Sequence, residues 1–186
     1  MFKSYEIFKS ISEVPSLNLI NVCSGIGAIF ASTGEYYKAL TYHGYSLDLA
    51  TKLYNMPHST IAKSYNNLGV VYRDLGQLDV ALDNFNKSLE IYLQVYRGNH
   101  QHISNTYQNI SRIWSLMGRL DSALFYQNKA FEIVQNVFDG EHPDIATSIC
   151  GIGAINVSLN RLVSAMAAYE KSLAVIMNSK GIYSVL

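Results

Sequence analysis

The sequence predicts an all-α chain, a right-handed α-solenoid of stacked antiparallel helix pairs. Three observations predict it. Gly34, Gly76, Gly118 and Asn160 stand at equal intervals of 42 residues, and Ala39, Ala81, Ala123 and Ala165 follow them five residues later. A fixed period of this size marks stacked supersecondary units, none of which buries its apolar face alone. Apolar residues recur at i, i+3, i+4, i+7 on both sides of each turn glycine, the spacing of one helix face. A hydrophobic fraction of 49% with only three prolines suits long uninterrupted helices.

The elements follow in order. Lys3-Ser4-Tyr5-Glu6-Ile7 aligns with Lys87-Ser88-Leu89-Glu90-Ile91, two periods later. Residues 1–16 therefore read as the end of a second helix whose first helix is missing. Unit 1 spans 17–58, with Ile26, Gly27 and Phe30 before the turn at Gly34 and Ala39 and Leu40 after it. Unit 2 spans 59–100. Tyr65, Leu68, Gly69 and Tyr72 form its first face, and Leu78, Ala81, Leu82, Phe85, Leu89 and Tyr92 its second. Unit 3 spans 101–142 and copies this with Tyr107, Ile110, Trp114, Leu120, Ala123, Leu124 and Phe131. Unit 4 spans 143–186, with Ile149, Ile152, Gly153, Ala165, Met166, Tyr169 and Leu173. No polar capping helix follows it, as a solenoid end normally requires. Either the chain is part of a longer array or its open ends pair with another copy.

Gly27, Gly69 and Gly153, with Ser111 in unit 3, lie twelve residues before the alanines. A glycine in mid-helix costs about 1 kcal/mol relative to alanine. Close approach of the two helices of one pair is expected to offset it, with the alanines playing the same part on the partner helix.

Tyr65-x-x-Leu68-Gly69-x-x-Tyr72, followed by Ala81-x-x-x-Phe85, resembles the tetratricopeptide repeat, with Tyr for the usual Trp. That repeat has about 34 residues and ends in proline. The longer unit and the link Asp139-Gly140-Glu141-His142-Pro143 resemble the 42-residue form found in kinesin light chains. The resemblance covers nearly the whole chain. It implies a tetratricopeptide superhelix and a scaffold or adaptor that binds protein, with no enzyme activity and no cofactor.

Net charge is zero, and the 14 Lys and Arg are scattered. Nucleic acid and anionic membrane surfaces are thus not expected partners. No run approaches the roughly 18 apolar residues of a membrane span. The N-terminus lacks the apolar segment of a signal peptide. Cys23 and Cys150 lie three repeats apart, too far for a disulfide in a solenoid. Two free buried thiols in a reducing, cytoplasmic compartment are the expectation.

His58, His100 and His142 also recur at 42 residues. Zinc requires bonds of about 2.1 Å in one tetrahedron, whereas stacked helices lie about 8–10 Å apart. The histidines are expected to cap or brace the next first helix, and no metal or catalytic residue is assigned. Gly25-Ile26-Gly27 and Gly151-Ile152-Gly153 lack the strand and third glycine of a phosphate loop. They read as helix packing. Asp79 and Asp83 read as a solvated face.

The resemblance places ligand contacts on the first helices, along a concave groove. The matching positions hold Asn21, Ser24, Gly25, Ala28 and Ala31 in unit 1, and Thr147, Cys150, Gly151, Ala154 and Val157 in unit 4. Units 2 and 3 are more polar. The candidate peptide-binding residues there are Lys63, Asn66, Asn67 and Arg73, then Asn105, Gln108, Asn109 and Arg112. Asn67 and Asn109 match the asparagine that grips a peptide main chain in related repeats. An amide both donates and accepts, as a peptide bond does. Arg73, Arg112 and Lys63 could then select acidic groups. The alternative is that these are ordinary solvated residues, with Arg73 paired to Asp74 or Asp79. Two further readings stay open: a self-associating structural or regulatory repeat protein forming a homo-oligomer through open ends, and a fragment of a larger multidomain regulator.

Overall fold

A computed structural model describes residues 15–138 and 142–179. The described residues form eight α-helices and no strand. These are α1 (Leu17–Ser32), α2 (Tyr36–Leu53), α3 (Ser59–Asp74), α4 (Leu78–Val95), α5 (Gln101–Leu116), α6 (Leu120–Val137), α7 (Pro143–Ser158) and α8 (Leu162–Ser179). First helices have 16 residues and second helices 18. Residues 1–14 of the expected partial repeat at 1–16, among them Phe2, Tyr5 and Phe8, and residues 139–141 and 180–186 lie outside the described residues.

The turn inside each pair follows from one backbone conformation. Gly34, Gly76, Gly118 and Asn160 have φ of 79°, 75°, 72° and 57°, the left-handed region that glycine enters without a Cβ clash. The Gly76 N–H donates to the Arg73 carbonyl and the Gln77 N–H to the Tyr72 carbonyl. These two bonds close the helix end. The same two bonds recur at Gly34, Gly118 and Asn160.

The link between pairs depends on histidine. His58, His100 and His142 are the N-caps of α3, α5 and α7. Each Nδ1 accepts from the backbone N–H two residues on, at 3.2, 3.1 and 3.2 Å. Each ring also stacks on an aromatic four residues earlier: Tyr54 and Tyr96 at 3.6 Å, Phe138 at 3.7 Å. The ring thus satisfies an orphan donor and holds the approach to the next helix. Ser16, one period before His58, caps α1 through its hydroxyl.

The chain divides into two compact units, Met1–Val95 and Tyr96–Leu186. In the first, Ile20 and Cys23 of α1, Leu49 and Ala50 of α2, and Ile61 of α3 form one buried cluster. In the second, Val134 of α6 packs on Ile145 and Ile149 of α7, with Phe131, Ala168 and Val175 around them. Ala39, Ala81, Ala123 and Ala165 are buried at 3% exposure or less.

What lies close to Gly27, Gly69 and Gly153 is a side chain of the partner helix. A Cβ on Gly27, Gly69 or Gly153 would meet the ring of His43, Phe85 or Tyr169 at 2.8–3.0 Å. Each glycine accommodates a ring from the partner helix, sixteen residues on. In the third pair Ser111 replaces glycine and donates to the Ala123 carbonyl at 2.7 Å, while Gln127 replaces the ring. Cys23 is buried and its thiol pKa is pushed up by burial. Cys150 is exposed, against the expectation of two buried thiols, because it falls on the exposed face of α7 with Thr147, Ala154 and Val157. No helix among the described residues is long and apolar enough to cross a membrane.

Candidate functional site

Capped first helices carry every candidate side chain. In the first unit Lys63, Asn66, Asn67 and Arg73 all lie on α3. The Asn67 Nδ2 donates to Ser24 Oγ of α1 at 3.0 Å. One amide proton is therefore spent on tying α3 to α1. The carbonyl and the second proton are the parts left for a peptide bond. Arg73 donates through Nε to Asp74 Oδ1 at 2.8 Å, with Nη2 at 2.7 Å from the same oxygen. It takes the local partner foreseen as the alternative. Lys63 is exposed.

In the second unit Asn105, Gln108, Asn109 and Arg112 lie on α5. Gln108, Asn109 and Arg112 line a cavity of about 430 Å³ with Thr147, Gly151, Ala154 and Ser158 of α7. Asn105 is exposed on α5 and is not among the lining residues. Gln127 of α6 closes the cavity floor. It is only 6% exposed and donates to the Ser148 carbonyl at 3.0 Å. A Cβ on Gly151 would meet the Gln127 Nε2 at 2.5 Å. The second glycine of Gly151-Ile152-Gly153 thus makes room for the ring of Tyr169, and the first makes room for an amide.

Two features sharpen the chemistry. Small residues on α7 face long polar residues on α5, so the cavity exists because one wall is short. Arg112 is exposed and forms no ion pair among the described residues. The lining therefore holds a guanidinium fork, the three amides of Gln108, Asn109 and Gln127, and the four hydroxyls of Ser111, Ser115, Thr147 and Ser158, a set suited to a polar chain segment. Gln127 escaped the sequence reading. The signal was present: Gln127 is the one amide in a column otherwise holding His43, Phe85 and Tyr169.

The family model described as tetratricopeptide repeat matches residues 16–94, 60–136 and 115–177. No curated protein matches the sequence. Among solved structures, BtubC (BKLC) from P. vanneervenii superposes with a TM-score of 0.80 at 16% identity, over 96% of this chain and 74% of that one. A Podosopora anserina protein described as a putative kinesin light chain with nearly identical TPR-like repeats superposes at 0.72 and 14% identity, over 95% and 87% of the two chains. A point variant of that protein gives 0.75 at 14% identity, over 96% and 87%.

Proposed function

The chain belongs to the tetratricopeptide repeat family, whose members generally mediate protein–protein contacts, and from that premise we propose that it binds a peptide segment of a partner protein on its first helices. The observation that carries this reading is the cavity of about 430 Å³ between α5 and α7. Gln108 and Asn109 meet the peptide backbone there, and Arg112 meets an acidic side chain or terminal carboxylate. On α3, Asn67 presents its carbonyl and remaining proton, and Lys63 supplies a second cation. Asn66 and Arg73 flank the contacts on α3, and Asn105 flanks those on α5. The protein acts as a non-catalytic adaptor in this reading.

A peptide selected from a random library on the wild-type chain tests it. Gln108→Ala with Arg112→Ala is expected to weaken that peptide at least about tenfold, the loss of one or two strong polar contacts. Circular dichroism checks that helicity is intact. Equal affinity for the wild type and the folded double variant sinks the proposal.

A further inference from the structure

One apolar stripe has no counterpart elsewhere among the described residues. Leu162, Met166, Tyr169, Leu173 and Ile176 of α8 are exposed by 61, 61, 38, 57 and 37%. Their spacing of 4, 3, 4 and 3 residues places them along one helix face. One period earlier, Leu120, Leu124, Gln127, Phe131 and Val134 of α6 are all buried or half-buried. The reason is α7, which lies on them. Phe131 and Val134 hold Ile145 and Ile149, and Gln127 sits against Ser148 and Gly151. In the first unit α2 does the same with α3, through Leu47, Ala50, Ile61 and Tyr65. The open face of α8 is therefore the face on which a second helix seats the first helix of a following pair.

The first helix α1 carries the complementary surface. Val22 is 56% and Ile29 64% exposed. The equivalent residues of α3, Ser64 and Val71, are 2% and 1% exposed, and those of α7, Ser148 and Ile155, 0% and 7%. Gly25, between them, has open space where a Cβ would stand. The chemistry of the columns also matches. Where α6 offers the amide Gln127, α7 answers with the hydroxyl Ser148 and with Gly151. Where α8 offers the Tyr169 ring, α1 offers the apolar Val22 and again a glycine.

We propose that a second copy of this chain covers α8 with its α1, head to tail, in the register that α7 keeps on α6. Tyr169 then lies over Gly25 and Val22 of the next copy, and Met166, Leu173 and Ile176 lose their exposed surface. A net charge of zero leaves no long-range repulsion to oppose this. An exposed apolar stripe rimmed by polar residues is the kind of surface that marks a protein contact. The contact is heterologous, so one α8–α1 contact between two copies leaves an unused face of each kind, to which further copies add as a ring or an open array.

Sedimentation velocity across a wide concentration range, with variants of each face, tests the proposal. Wild-type mass is expected to rise with concentration beyond that of a dimer. Met166→Glu with Leu173→Glu, on α8, and Val22→Glu with Ile29→Lys, on α1, should each weaken association at least about tenfold. These side chains are exposed, and circular dichroism confirms that the variants remain helical. Mixing the two variants should restore association but stop it at a heterodimer, since each supplies the one intact face the other lacks. A wild type that stays monomeric at every concentration overturns the proposal. So does association that the α1 variant leaves unchanged, which would mean that α8 meets another α8 or that residues 1–14 already cover α1.

Discussion

His43 is the residue whose chemistry least suits its place. It is 3% exposed, its ring lies against Gly27, and its Nδ1 has no hydrogen-bond partner. Burial pushes its pKa below the ordinary 6.5. The unfolded chain therefore binds a proton, below about pH 6.5, that the folded chain resists. Stability contributed by this group is complete above that pH and falls as the pH drops. His43→Phe, which copies Phe85 of the next pair, removes the dependence. Urea midpoints at pH 7.5 and 5.5 should fall more for the wild type than for the variant; equal falls would contradict this account. The cap histidines give a second prediction at this scale. His100→Ala loses both the N-cap bond and the stack on Tyr96, and should cost about 1–2 kcal/mol in urea unfolding. His100→Asn should recover the cap portion alone. These caps are legible in the sequence because three histidines share a column at a link that needs an acceptor. The stacks on Tyr54, Tyr96 and Phe138 are less legible, since an aromatic four residues upstream also reads as the end of a helix face.

At the scale of the helix pair, the glycine–ring contact separates two effects of the same substitution. Gly44 sits in α2 with nothing within 4 Å of an added Cβ. Gly44→Ala should stabilise by about 0.5–1 kcal/mol, from backbone entropy alone. Gly69→Ala gains the same entropy, but its Cβ would stand 2.8 Å from the Phe85 ring. Overpacking of about 1–3 kcal/mol should exceed the gain. Opposite signs in thermal melts support the reading, and two stabilised variants would reject it. The repeat made both helices and both turns readable, because Gly, Ala and His columns report backbone needs that every unit shares. What fills each glycine's space was not readable. A ring and an amide occupy one column, and only the facing side chain decides between them. Serine bridges show the same exchange. Ser46 and Ser172 donate from the second helix to the Ile20 and Ala146 carbonyls, at 3.3 and 2.8 Å. In the third pair Ser104 donates from the first helix to the Ala130 carbonyl at 2.9 Å. One bond is kept while its donor changes sides, which no single column reveals.

For the whole molecule, the candidate site and the stacking surface separate by whether a column repeats. Packing columns repeat, so they predict architecture. The cavity wall is marked by columns that break the pattern, Gly151 where α5 has Asn109 and Gln127 where the other pairs have a ring, whereas the open stripe of α8 is built from columns that repeat. A repeat chain draws its stability from neighbouring elements, and each unit here has a core of its own. In Met1–Val95 that core is Ile20, Cys23, Leu49, Ala50 and Ile61, with Leu47, Tyr45 and Tyr65 around it. Leu49 and Ala50 are fully buried and Ile20 is 1% exposed, within helices that the same fragment caps with Ser16 and His58. Burial of a Leu or Ile contributes about 1.5–3 kcal/mol, so each such residue is a large share of a marginal net stability. The fragment of residues 1–95 should therefore fold alone and show a helical spectrum with a cooperative melt. Leu49→Ala in that fragment should lower its stability by about 2–5 kcal/mol, which is enough to unfold it. A fragment lacking helical signal would mean that the cluster around Leu49 does not hold two pairs together. A fragment indifferent to Leu49→Ala would place the stabilising contacts elsewhere.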